Sequence, residues 1–265
     1  MLPPATHARA ATDLHQGAVP RELAVAAEVP VNLVYGGVPH AVMMATPADL
    51  EDFALGFSVT EGIVAAAVDI RGIAIEPHPA GIVLNVSLVP NALRRHLARG
   101  RAMAGRTGCG ICGIESLDDL VLAKPAVAPG RPIDASALRR ALAELPTHQP
   151  LNAQTRSVHA AALCRADGGI VLAREDVGRH NALDKLAGAC LRGGIAVQDG
   201  FVLLTSRCSF EMVEKAAAFG VRAVAAISAP TSLAIERALA LGIDLVAVAR
   251  PDGALRFTPQ PEVVA

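Results

Sequence analysis

The sequence predicts an α/β fold with a smaller α+β unit in front of it, on three observations. From residue 158 onward, short apolar runs alternate with amphipathic helical stretches, the pattern of a layered sheet with parallel pairs. Before that, residues 31 to 89 hold a hairpin pattern, one helix and two further strand patterns, enough for a small α+β unit. Between the two lies Pro125 to Pro132, rich in proline and glycine, which reads as a linker. A chain of 265 residues is long enough for about two modest cores.

In the first unit, Val31 to Tyr35 and His40 to Met44 flank Gly36-Gly37 as a hairpin. Thr46-Pro47-Ala48-Asp49 is expected to start a helix, with Thr46 as cap and Pro47 in the first turn, running to Thr60. Strands are expected at Ile70 to Ile75 and Ile82 to Val89, then a short basic helix through Arg94, Arg95 and His96. In the second unit, Asp134 caps a helix over 135 to 145. Strands are placed at 158–165, 169–173, 201–205, 223–228 and 245–249, and helices at 181–191, 209–219 and 232–241. The resulting division is a loose tail over 1–21, a small α+β domain over 22–106, a cysteine loop and linker over 107–133, and an α/β domain over 134–265.

Composition narrows the function. Hydrophobic residues make up 52% of the chain, mostly alanine, valine and leucine, and charges cut the apolar runs short of the roughly 20 residues of a membrane span. The first seventeen residues do not resemble a secretory signal, so the expectation is a cytoplasmic protein. A formal net charge of -1 provides no general basic field for nucleic acid, and five cysteines in a chain this long do not suggest a disulfide framework.

The chemistry concentrates in a few places. Thr107 to Ser116 carries Cys109-Gly-Ile-Cys112 among Gly108, Gly110 and Gly113. Two thiols at this spacing can share a metal, close a disulfide or pass a sulfur between them, and the glycines free backbone amides to turn toward a thiolate. Arg174 to Asn181 is the densest polar cluster, set between a strand and a helix, where Arg179 suits an anion and His180 a base, a ligand or a cap. Thr205 to Ser209, with Arg207 facing any anion, and Ser228 to Ser232 are further hydroxyl-rich strand-to-helix turns, and His159 opens the first strand of this half. Turns of this kind on one sheet edge suit a phosphorylated or nucleotide-like ligand. Cys164 and Cys190 read as packing residues, while Cys208 is open.

Cys109-Gly-Ile-Cys112, the run from Arg174 to Lys185, Ser209-Phe210-Glu211-Met212-Val213, Ser228 to Ser232, and Thr46-Pro47 followed by Thr60-Glu61-Gly62 together resemble the FdhD family of formate dehydrogenase accessory sulfurtransferases, from about Glu22 onward. The resemblance implies a cytidine-deaminase-like fold for the C-terminal domain and a homodimer. It also implies a function: a cysteine persulfide taken from a cysteine desulfurase is passed to the molybdenum cofactor, bis-molybdopterin guanine dinucleotide (bis-MGD), before that cofactor enters formate dehydrogenase. By the same resemblance Cys109 is the persulfide carrier, Cys112 its partner, and Val248-Ala249-Arg250-Pro251-Asp252-Gly253 the cofactor-binding segment; the reading of the turns adds Arg179, His180 and Arg207 as further cofactor contacts. The chain departs from the family at Thr155-Arg156-Ser157 and Thr205-Ser206-Arg207, where glycines are usual. Two rival readings stand. One is a cofactor chaperone without sulfur transfer. The other is a zinc or redox site at the cysteine pair, against which the chain has neither a proline before Cys109 nor any His-x-Glu.

Overall fold

The computed structural model describes residues 1–15, 19–101 and 131–258. In the N-terminal unit, β3 (Val29–Tyr35), β4 (Val38–Ala45), β5 (Ile70–His78) and β6 (Gly81–Leu88) form one sheet in the order β4-β3-β6-β5. Gly36 and Gly37 both take positive φ, 57° and 83°, as the tight turn between β3 and β4 requires. Helix α1 (Leu50–Thr60) lies across one face, with Phe53, Ala54 and Phe57 packed on Leu33, Tyr35, Leu84 and Val86. Helix α2 (Pro90–Arg101) follows β6.

The helix expected to be capped by Thr46 and to begin at Pro47 begins at Leu50 instead. Asp49 stands in the left-handed region at φ 53°, with no side-chain cap, and Pro47 lies outside the helix. Thr46 is fully buried because its polar groups are taken by the other unit. A second correction concerns the N-terminus. The tail expected to be loose over 1–21 is in large part a strand, since β1 (Thr6–Asp13) pairs antiparallel with β2 (Val19–Ala26) from Thr6↔Ala26 to Asp13↔Val19. Most of its side chains are exposed, so main-chain pairing holds it and hydropathy gives no sign of it.

In the C-terminal unit, β7 (His159–Cys164), β8 (Ile170–Asp176), β9 (Phe201–Leu204), β10 (Ala223–Ala226), β11 (Asp244–Arg250) and β12 (Gly253–Arg256) form a sheet in the order β12-β11-β10-β9-β7-β8. Strands β9, β10 and β11 run parallel, and β7 runs antiparallel to both its neighbours. Both faces are covered, which is why these strands read as unbroken apolar runs. Ala161, Leu163, Val202, Leu204, Val224 and Leu245 face helices α5 (Arg179–Arg192), α6 (Phe210–Ala218) and α7 (Ser232–Leu241). Ala162, Leu203, Ala225 and Val246 face α3 (Ala135–Glu144), which Asp134 caps by accepting the amides of Ser136 and Ala137. The short helix α4 (Pro150–Thr155) and strand β12 have no counterpart among the elements expected from sequence.

The two units meet where α1 crosses α5. A Cβ at Gly56 would stand 1.7 Å from the Asp184 carbonyl oxygen, and one at Gly188 would stand 1.8 Å from that of Asp52. Each helix thus seats its backbone in the gap left by the other's glycine. No helix among the described residues is long and apolar enough to cross a membrane.

Candidate functional site

The chain folds so that the ends of β8, β9, β10 and β11 and the start of β7 share one sheet edge. In α/β sheets this carboxyl edge is where ligands bind. Main-chain bonds fix the turns leaving it: the Ile227 amide donates to the Leu204 carbonyl at 2.8 Å and the Val248 amide to the Ser228 carbonyl at 3.1 Å. Cys208 and Pro230 pair as an isolated bridge, tying two of the turns together.

Most of the polar cluster from Arg174 to Asn181, expected to form an anion site, is instead, with Asp184 and Lys185 beyond it, the joint between the two units. Arg174 binds Asp52 of α1 at 2.8 Å. Glu175 accepts the amides of Leu151 and Asn152, both at 2.8 Å. Asp176, fully buried, accepts from the Gly178 amide (2.7 Å), the Asn181 side chain (3.0 Å) and the Thr46 amide (2.9 Å), and pairs with Lys185 at 2.7 Å. Lys185 also donates to the Thr46 carbonyl at 2.9 Å, and Asn181 to that of Met44 at 2.8 Å. The bonds to Met44, Thr46 and Asp52 each span more than 120 residues of sequence, beyond the reach of any local motif.

A second buried cluster lies beside it. Lys215 of α6 reaches Asp184 at 2.9 Å, Glu61 at 2.5 Å and the Thr60 hydroxyl at 3.2 Å, and Thr60 donates to Asp184 at 2.6 Å. Burial raises the Asp184 carboxyl to about 6 and Glu61 pushes it the same way, against the pull of Lys215. Burial works against the charge on Lys215, but Asp184 and Glu61 outweigh it and hold the amine above its ordinary value.

Two residues of the run remain open toward the edge. Arg179 Nε and His180 Nε2 are shielded from solvent and have no hydrogen-bond partner among the described residues. Burial, then the charges of Arg179 and Lys215, lower His180 to about 4, so it is a neutral imidazole at pH 7. His159 comes to the same place, its Nδ1 within 3.5 Å of the Thr205 hydroxyl; burial and the Arg179 charge lower it as well. Glu211, in the first turn of α6, completes the group. Burial alone would raise its carboxyl, but its own amide, His180 and Arg179 together hold it below its usual range. A neutral imidazole pair, a guanidinium and a carboxylate therefore share one edge. Glu211 was not distinguished in the sequence from an ordinary helix-start acid.

Val248 to Gly253 lies farther along. Val248 stands at φ 53°, a left-handed conformation that a β-branched residue rarely adopts, inside a register shift between Ala247 and Arg250. Strain of this kind, on the order of 1–3 kcal/mol, gathers at binding sites. Ala249 points into the core, Arg250 folds back onto the Ile227 and Ala249 carbonyls, and Pro251 and Asp252 form the turn into β12 at Gly253. Four strand positions separate β8 from β11, about 19 Å at the usual spacing. The structure thus unites Arg179 and His180, sets Arg207 exposed on the turn after β9, and leaves 248–253 at the far end of the edge. A groove of about 460 Å³ lies elsewhere, between α3 and β11–β12, but its Arg256 is already bound to Asp244 and to the Ile133 carbonyl.

Cys109 and Cys112 lie outside the described residues. The three described cysteines are buried free thiols, and burial drives Cys164, Cys190 and Cys208 each to about 12, far from a reactive thiolate. Cys208, open on sequence alone, is a packing residue.

The family model for the FdhD/NarQ family matches residues 26–264. A sulfur carrier protein FdhD of Bordetella petrii is 48% identical over 92% of this chain and 88% of its own length. Its counterpart in Xanthomonas euvesicatoria pv. vesicatoria is 51% identical over 85% of this chain and 80% of its own. A crystal structure of a putative formate dehydrogenase accessory protein from Desulfotalea psychrophila superposes with a TM-score of 0.74 at 27% identity, covering 98% of this chain and 99% of that one. Half-identity sustained along nearly the whole chain, on a fold shared end to end with a solved relative, leaves one assignment: the chain belongs to the FdhD/NarQ family.

Proposed function

We propose that this protein is a sulfur carrier for formate dehydrogenase maturation, with Cys109 as the carrying thiol. The Cys109 thiolate attacks the outer sulfur of a persulfide on a cysteine desulfurase. A new S–S bond forms on Cys109, the donor's S–S bond breaks, and the donor cysteine leaves as thiolate. Cys112 stands ready to resolve or relay. The acceptor is the molybdenum of bis-MGD, bound as substrate along the carboxyl edge of the C-terminal sheet. Arg179, His180 and Arg207 would hold one part of it and Val248 to Gly253 another.

The observation that carries this reading is the near-half identity to proteins named as sulfur carriers, over most of both chains. Two features of the molecule support it. Burial removes three of the five cysteines from thiolate chemistry, which leaves Cys109 and Cys112. The unpartnered Arg179 Nε and His180 Nε2 suit an anionic ligand, and the edge is long enough for an extended one. The strand order β8-β7-β9-β10-β11, with the last three parallel, supports a cytidine-deaminase-like arrangement for this unit. A cytoplasmic homodimer is part of the proposal.

The test is complementation. In cells lacking their own copy of the gene, the wild-type chain should restore formate dehydrogenase activity and Cys109→Ala should not, at equal protein level. Full activity from a chain lacking both Cys109 and Cys112 would overturn the sulfur-carrier reading.

A further inference from the structure

Ile133 lies just after the cysteine-bearing stretch, and side chains hold both of its main-chain polar groups. Its amide donates to Asp244 Oδ2 at 2.8 Å, and its carbonyl accepts from Arg256 Nη2 at 2.7 Å. Arg256 Nε closes the ring on Asp244 Oδ1 at 2.8 Å. Asp244 opens β11 and Arg256 ends β12, so one ion pair at the amino end of these strands grips the point where the chain returns from Cys112. The other end of β12 is Gly253, where the turn over 248–253 finishes, three residues or about 10 Å of strand away.

The hairpin between these two points can shift. Val248 and Ala249 stand opposite the single residue Ala254, so the pairing of β11 with β12 is already broken there, and Val248 sits in the left-handed region. Strand β12 lies at the sheet edge with all four residues exposed. Arg250 holds the turn by donating to the carbonyls of Ile227, just past β10, and Ala249. Those acceptors are neutral, and an anion at the turn makes the stronger, charge-assisted bond. A bound anion therefore draws Arg250 away and frees the turn from the end of β10. Past Arg256, Phe257 and Thr258 are fastened to Leu245, so movement of the turn ends at Arg256.

We propose that Arg256 is a positioning residue that links the turn over 248–253 to Ile133: a ligand at the turn moves β12, and Arg256 lets go of the Ile133 carbonyl. The chain returning from Cys112 is thus held at Ile133 in the free protein and released there once the cofactor is in place. The inference rests on the reading of 248–253 as a cofactor segment. Coupling of this kind is reciprocal, so breaking the clamp must tighten ligand binding by up to the factor by which ligand loosens the clamp.

The test uses the full chain and guanosine diphosphate as a fragment of bis-MGD. Hydrogen exchange at the Ile133 amide, followed by NMR in wild type, should speed up at least about fivefold when the nucleotide saturates, the lower end of usual couplings. In isothermal titration, Arg256→Met should bind the nucleotide at least about fivefold more tightly than wild type. Its Ile133 amide should exchange fast with or without ligand. Arg256→Lys keeps the charge beside Asp244 but loses the fork that also reaches Ile133, and should fall between the two. Leu255→Ala, an exposed position on the same strand, should bind as wild type does. A purely structural role for Arg256 would weaken binding when it is lost, not strengthen it. Nucleotide binding that leaves the Ile133 amide unchanged, or an Arg256→Met protein that binds no more tightly than wild type, would overturn the coupling alone. Failure of wild type to bind the nucleotide would overturn the reading of 248–253 as a cofactor segment, and the coupling with it.

Discussion

Replacing Gly56 by Ala should separate the two units. The added Cβ would lie 1.7 Å from the Asp184 carbonyl oxygen and 2.7 Å from the Gly188 amide nitrogen, and both are backbone atoms in a helix, unable to rotate away. Normal contact needs about 3.5 Å, so α1 and α5 must part by nearly 2 Å. Overpacking of this kind costs about 1–3 kcal/mol. The same movement lengthens the Thr60–Asp184 and Arg174–Asp52 bonds, now 2.6 and 2.8 Å, each worth about 1.5–3 kcal/mol because a charge is involved. The better helix propensity of alanine returns at most about 1 kcal/mol. The net loss is about 4 kcal/mol, a large part of the 5–15 kcal/mol by which native proteins are stable. For a chain of this size that is a fall in Tm of roughly 8–16 °C. Urea and thermal unfolding would be followed by circular dichroism, with Gly72→Ala as control: its Cβ meets nothing within 4 Å, so its stability should stay close to wild type. A Gly56→Ala protein as stable as the control would refute the close crossing as the joint of the molecule.

Acid should weaken the native state through His180. Its folded value, lowered to about 4, means that its contribution is present above its ordinary value of 6.5 and is lost as pH falls toward 4. Between pH 7 and pH 5 the wild type should lose about 2 kcal/mol relative to His180→Gln; comparing the two in urea removes the opposite trend from Asp184, whose raised carboxyl favours folding as pH falls. Equal pH dependence would contradict the burial of a neutral imidazole. Lys185→Met should cost about 3–5 kcal/mol by leaving Asp176 charged and unpaired in the interior. The double variant with Asp176→Asn should cost less than the two single changes summed, measurable as a coupling in urea unfolding. Arg179→Ala should leave stability within about 0.5 kcal/mol, because Arg179 makes no hydrogen bond or ion pair among the described residues, while binding of a nucleoside diphosphate falls at least tenfold.

Elements with a strong local signal were legible in the sequence. The helix over 232–241 matches α7 at both ends, and Asp134 caps α3 as expected, because cap chemistry and a 3.6-residue apolar period act within a few residues. The hairpin through Gly36-Gly37 was equally plain. The errors share one cause. Thr46 has the residue type of a cap, yet its amide, hydroxyl and carbonyl are held by Asp176, Val177 and Lys185, so the helix starts three residues later than expected. The stretch from Arg174 to Asn181 has the look of an anion loop, but Asp176 is taken by Lys185 and Thr46, while the following Asp184 is taken by Thr60 of α1 and Lys215 of α6. Charges that find partners across a long sequence separation cannot be told from charges waiting for a ligand until the fold brings the partners in. The strand pair β1–β2 is held by main-chain bonds whose side chains carry little apolar pattern, so composition alone reads it as tail. Glu211 stands in the sequence only as a member of the Ser209 to Val213 motif, because a glutamate in the first turn of a helix is ordinary until the charges of Arg179 and His180 act on it in the fold.

The central claim is that Cys109 carries sulfur. Its most direct test is intact-protein mass spectrometry after incubation with a cysteine desulfurase and cysteine, on wild type, Cys109→Ala and Cys112→Ala. The account predicts a gain of one sulfur atom that reductant removes, present in wild type and absent from Cys109→Ala. A gain that persists in Cys109→Ala, or no gain in any of the three, would contradict it.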